Sequence, residues 1–178
     1  MTDVRATVEA LDWPVLERSL DERGYATIPA LLNPEQCAEL TDLYGDEDRF
    51  RSRIDMARYR FGSGEYKYFG RPLPPLVEDL RQALYPRLAP VANRWAEWLG
   101  GTIVPDTLAE FLGVCEQHGQ TRPTPLLLHY EAGDYNCLHQ DLYGEVAFPL
   151  QVTILLNHGF EGGLSLIHIS EPTRQAEI

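Results

Sequence analysis

Hydrophobic positions recur at helical spacing through the first two thirds of the chain, then give way to apolar runs of strand length. Trp13, Leu16 and Leu20 share one helical face. Asp12 precedes them, Pro14 falls in the first turn and Gly24 stands just past the end, so the pattern predicts a capped helix. Tyr25-Ala-Thr-Ile-Pro29 reads as a short strand. Asn33-Pro34-Glu35-Gln36 combines an N-cap, a proline at the first helical position and a capping-box Gln. It predicts a helix to about Tyr44 that turns Cys37, Leu40 and Leu43 to a core. Residues 45–57 are densely charged and read as irregular. Arg58–Phe61 and Glu65–Phe69 alternate about Gly62-Ser63-Gly64, which suggests a hairpin. Pro74 and Pro75 open a helical stretch reaching Leu99, which Pro86 and Pro90 are expected to divide or kink. A further amphipathic helix is expected over 106–117. From Gly119 a proline-rich connector leads to an apolar strand at Leu126–Tyr130, a turn at Glu131–Asp134 and a second apolar strand at Phe148–Asn157. There are no internal repeats and no low-complexity segment.

Helices first and strands second predict an α+β chain, with helices buttressing one sheet. Its 178 residues suit a single domain. Fifteen basic against 27 acidic residues leave a net charge of −12. Such a chain is a poor generic binder of nucleic acid or anionic membrane, whose phosphates need a basic face. Cys37, Cys115 and Cys137 form no CxxC pair and read as reduced thiols, which fits a cytoplasmic location. No secretory signal and no membrane-spanning run is expected.

Chemistry concentrates at His139-Gln140-Asp141. On a strand, residues i and i+2 face the same way, so an imidazole and a carboxylate can converge on one metal ion. Two His and one carboxylate form the facial triad of non-haem Fe(II) oxygenases, which leaves open positions for substrate and O₂. The flanks sharpen this short motif. Leu128-His-Tyr130-x-x-Gly133 precedes it, and Leu155-Leu-Asn157-x-x-Phe160-x-Gly162-Gly163 follows it.

With these flanks, the chain resembles the 2-oxoglutarate/Fe(II)-dependent dioxygenase superfamily, in particular its prolyl-4-hydroxylase-like branch. The segments Arg58–Phe69, Gly119–Pro125 and Tyr135–Gly144 resemble an uncharacterised bacterial subgroup of it. The resemblance runs from about residue 8 to Gly163. It implies a double-stranded β-helix, or jelly roll, begun but incomplete: helical support over about 1–118 and the start of the jelly roll over about 119–163. It implies His139 and Asp141 as ligands of Fe(II), with 2-oxoglutarate as co-substrate, O₂ as oxidant and ascorbate as a candidate reductant. Tyr130 matches a position facing the co-substrate pocket and is a candidate hydrogen-bond donor there; the other reading is a core tyrosine. Asn157 and Gly162-Gly163 are expected to shape the strand end and the turn.

The superfamily's distal His, and the Arg or Lys that pairs with the far carboxylate of 2-oxoglutarate, lie several strands further on. Residues 164–178 do not resemble the superfamily. They resemble the peptide translated from sequencing-adapter DNA and are expected to be a non-native tail on residues 1–163. His158 and His168 are poor substitutes for the missing ligand, His118 and His129 are expected to be structural, and Cys137 a buried thiol. The expected protein is therefore an oxidoreductase, a hydroxylase, of which this chain is an inactive fragment. The alternative is a non-catalytic jelly-roll module binding a small ligand or a metal. A zinc hydrolase lacks its ligand cluster here. The substrate class stays open between small molecules and protein side chains. The acidic charge speaks against nucleic acid, no membrane partner is expected, and oligomeric state is unread. Arg58, Tyr66 and Tyr143 are candidate substrate contacts.

Overall fold

The computed structural model describes residues 3–137, 139 and 144–157. The chain begins with α1 (Val4–Glu9) and α2 (Trp13–Arg23). Asp12 caps α2 by accepting from the Val15 N–H, and Gly24 ends it in the left-handed conformation, as the sequence predicts. The Trp13 indole donates to the Val8 carbonyl at 2.9 Å and ties the two helices together. Residues 25–29 are not a strand; no ladder partner meets them among the described residues, although Ile28 packs on the core. Helix α3 (Pro34–Asp42) starts with the full capping box between Asn33 and Gln36. It runs on into a 3₁₀ turn at Leu43–Gly45.

The stretch read as irregular contains a strand, β1 (Phe50–Asp55). Phe50, Ser52 and Ile54 turn inward while Arg51, Arg53 and Asp55 face out. The charges on the outer face mask a period-two pattern whose inner face is short and partly polar. The expected hairpin does not form either. Met56–Tyr59 is a helical turn, α4, capped by Asp55. β2 (Gly62–Ser63) and β3 (Glu65–Phe69) then join different sheets.

Helix α5 (Pro75–Leu99) is continuous through Pro86 and Pro90. Each proline removes one ladder donor, but the helix carries two core faces, Leu76, Val77, Leu80 and Leu84 before Pro86 and Tyr85, Ala89 and Ala92 across it. Burial along both faces holds the helix together where local propensity would divide it. Helix α6 (Leu108–Gln117) follows, capped by Thr107. Strands β4 (Leu126–His129) and β5 (Tyr135–Asn136) complete the elements.

One antiparallel sheet has the order β1-β3-β4, with Asp55 opposite Glu65 and Glu65 opposite His129. The second pairs β2 with β5, Gly62 opposite Asn136 and Ser63 opposite Tyr135. Helices α1, α2, α3 and α5 enclose the main core with Phe69, and Tyr85, Ala89, Val104 and Leu108 form a second one. Phe148–Asn157 is not a strand. Ile154 and Leu156 nonetheless pack on the main core, Phe148 and Leu150 on the second, and Leu155 faces out. The alternation of side chains is local, whereas a ladder needs a partner, and none meets this segment among the described residues.

The α+β expectation holds. The sheet begins earlier than expected, since β1 and β3 lie within the stretch read as helical support. Among the described residues the two small sheets do not close into a barrel. No helix among them is long and apolar enough to cross a membrane.

Candidate functional site

The site is built from the turn after β4. Asp134 holds that turn at both ends: its carboxylate accepts from the Glu131 N–H at 2.8 Å and from the Ser63 hydroxyl on β2. These two donors, the hydroxyl first, hold Asp134 below the ordinary carboxylate range. β5 then pairs with β2, and beyond it the Cys137 N–H donates to the Phe61 carbonyl at 2.7 Å.

His139 follows directly. Its Nδ1 lies 2.7 Å from the Cys137 carbonyl oxygen. A carbonyl only accepts, so Nδ1 carries the proton and the neutral ring has its lone pair on Nε2. Ligating histidines commonly show this arrangement, in which one ring nitrogen donates to backbone and the other is left basic. The Nδ1 contact is the one a ligating imidazole would make. Asp141 and Tyr143 lie outside the described residues, as do His158, Gly162-Gly163, His168 and the tail from 164. Among the described residues no three His, Cys, Asp or Glu side chains converge as a metal centre.

Two glycines set this register. At Gly62, φ is +138° and an added Cβ would sit 2.1 Å from the Tyr135 carbonyl oxygen. At Gly64, φ is +115° and a Cβ would sit 2.8 Å from the Tyr130 ring. A side chain at Gly62 would displace β5, and one at Gly64 would displace the Tyr130 ring. Tyr130 is half-buried against this glycine. Burial raises its pKa, opposed by a hydrogen bond with the Asn136 side chain.

Beside the turn lies a cleft of about 210 Å³ lined by Asp55, Gly64, Glu65, His129, Glu131 and Asp134. A charged network closes its floor. Tyr44 donates to Glu65 at 2.5 Å, and Arg53 pairs with the other carboxylate oxygen. The chain's single lysine, Lys67, is 3% exposed. It donates to the Tyr44 carbonyl at 2.8 Å and to Glu47 at 2.7 Å, with its ammonium 4.2 Å from the centre of the Tyr44 ring. These contacts replace the water lost on burial. Burial opposes ionisation of Glu65, but Tyr44, Arg53 and Lys67 outweigh it and its pKa falls.

The other predicted residues divide. Arg58 is exposed, with its guanidinium 5.9 Å from the Tyr59 ring centre. Tyr66 lies opposite Leu128 in the sheet, its ring edge-on to Tyr68. His118 bonds to the Val114 carbonyl and His129 packs on Tyr44, both structural as expected. Cys137 is exposed, against the expectation of a buried thiol: its N–H donates to the Phe61 carbonyl and its thiol to the Arg60 carbonyl at 3.8 Å, both at the surface. Ser63, Asp134, Gly62 and Gly64 were not singled out from sequence. Gly-Ser-Gly announces a turn, but nothing local says that the turn docks on residues 134–137.

These features define an α+β chain whose β4 turn borders an acidic cleft and leads through β5 to His139. Residues 64–178 match the family model Oxygenase-NA, described as oxygenase catalysing oxidative methylation of damaged DNA. The match covers more than half of the chain, which therefore belongs to this oxygenase family. It supports the wider 2-oxoglutarate oxygenase superfamily and corrects the prolyl-4-hydroxylase-like branch. The residues behind that narrower resemblance surround the ligand motif, which answers to metal geometry and not to substrate, so they carry no information about the branch. Two uncharacterised proteins from two strains of Mycobacterium tuberculosis are each 46% identical to the chain over 112 residues, or 61% of it. The chain spans about half the length of these curated relatives, since the match covers 48% of each. No solved structure matches the chain.

Proposed function

We propose that the chain carries part of an Fe(II)- and 2-oxoglutarate-dependent dioxygenase, a hydroxylase built on a jelly roll. The observation that carries this reading is the Nδ1 hydrogen bond of His139 to the Cys137 carbonyl, which fixes the tautomer of an imidazole on a segment tied to Phe61. The oxygenase family match supports it. His139 and Asp141 would hold the metal, two positions apart in the sequence. Iron bound with 2-oxoglutarate supplies activation of O₂ coupled to oxidative decarboxylation of the co-substrate.

The chain's own groups orient and protonate. Cys137 keeps His139 in one tautomer through its carbonyl. Tyr130, half-buried and hydrogen-bonded with the Asn136 side chain, would offer its O–H to a carboxylate of the co-substrate. A third ligand and a cationic partner for the far carboxylate would complete such a site. For the substrate, the family description points to damaged DNA in place of the protein or small-molecule substrates expected from sequence.

The test is anaerobic titration with Co(II) as a spectroscopic stand-in for Fe(II). The wild-type chain is expected to bind one equivalent weakly, and His139→Ala and Asp141→Ala each to abolish the d–d absorption. Metal uptake unchanged in both variants would overturn the ligand assignment and favour a non-catalytic binding module.

A further inference from the structure

The run Ala57–Phe61 is exposed at every position, in a chain of net charge −12, and holds two cations, two aromatics and no acid. Tyr59 and Phe61 are 50% and 43% exposed, and their rings stack on each other, centres 5.8 Å apart and planes inclined by 18°. Arg58 stands 5.9 Å from the Tyr59 ring centre. Neither Arg58 nor Arg60 forms an ion pair with an acid among the described residues, a trait they share with several other arginines such as Arg51 and Arg122. A single exposed aromatic needs no explanation. A pair pre-stacked in water, flanked by unpaired guanidiniums, is the chemistry that receives nucleobases and their phosphates. The platform also reaches the ligand motif through backbone. The Phe61 carbonyl accepts from Cys137, whose own carbonyl holds His139.

We propose that Arg58–Phe61 is a stacking platform for single-stranded or unpaired nucleic acid, placed to deliver a base toward His139. For the reaction at that base, this rests on the oxygenase reading above. The neighbouring cleft of Asp55, Glu131 and Asp134 repels phosphate, so the strand is held by rings and by Arg58 and Arg60 alone. The overall acidity then becomes a filter: generic duplex binding through phosphates is weak, and an exposed base is required.

The experiment is fluorescence anisotropy of a labelled single-stranded oligodeoxynucleotide, and of its duplex, with the full chain and no metal. The single strand is expected to bind more tightly. Tyr59→Ala and Phe61→Ala are each expected to lower that affinity by about 5-fold to 100-fold, and Phe61→Tyr, which keeps the stack, to retain it. Arg58→Gln and Arg60→Gln are each expected to flatten the salt dependence by about 0.7 in log–log slope, the share of one phosphate. Circular dichroism and the Co(II) titration are expected to be unchanged in all these surface variants. Ring-deleted variants that bind like wild type, or a duplex bound as well as the single strand, overturn the platform. So does a change in the sedimentation of the chain alone, which would make this face a contact between copies. Loss of Co(II) binding with DNA binding intact would sink the oxygenase reading and leave the platform standing.

Discussion

At the scale of single residues, Gly62 is the most constrained position of the site. Its positive φ and the 2.1 Å approach of the Tyr135 carbonyl oxygen mean that any side chain must push β5 away from β2. Gly62→Ala is expected to cost at least about 2 kcal/mol, strain and lost pairing together. Gly45→Ala, with nothing within 4 Å and no positive φ, is the neutral control. Thermal denaturation separates the two, and equal melting temperatures would show that β2 does not anchor the segment before His139. His139 is proposed as a ligand from sequence because its motif is local. The roles of Tyr59 and Phe61 were not legible there. Exposure and mutual stacking depend on how α4 turns after β1, and alternation alone places such residues in a hairpin.

At the scale of elements, two carboxylates join strands. Glu65 on β3 receives Tyr44 and Arg53, and Asp134 receives Ser63 from β2. Both have pKa values below the ordinary range. A carboxylate held low adds stability above its unfolded pKa, near 4, and loses it as pH falls through the lowered folded value. Melting temperature is therefore expected to be level from about pH 7 to pH 5 and to drop below about pH 4. Glu65→Gln is expected to flatten that acid limb, measured at constant ionic strength. An unchanged limb would place the acid sensitivity elsewhere. β1 also belongs to this scale. Its strand character is hidden in a charged stretch and becomes visible only when β3 pairs with it.

At the scale of the whole molecule, the chain spans about half the length of the curated relatives it matches. Among the described residues β4 is an edge of its sheet, and Leu128, Val152 and Leu155 stand 45%, 45% and 67% exposed. Exposed edges and apolar positions of this kind ordinarily receive further strands. With Fe(II), 2-oxoglutarate and O₂, this 178-residue chain is expected to release no succinate, because His139 and Asp141 alone leave a weak site. Steady succinate formation would show instead that a third ligand lies within these residues.

The sequence by itself determined the capped helices, the apolar strand at β4 and the α+β class, and it offered the His139/Asp141 motif as a candidate. Each of these is written in neighbours a few residues apart: an N-cap before a periodic face, or an imidazole two positions from a carboxylate. Tertiary structure alone decided that α5 runs through two prolines, that Gly62-Ser63 leaves its expected hairpin to hold β5, and that the 148–157 segment packs without pairing. These outcomes depend on contacts between distant segments, whose free energy of burial and pairing exceeds the local preferences that sequence patterns record.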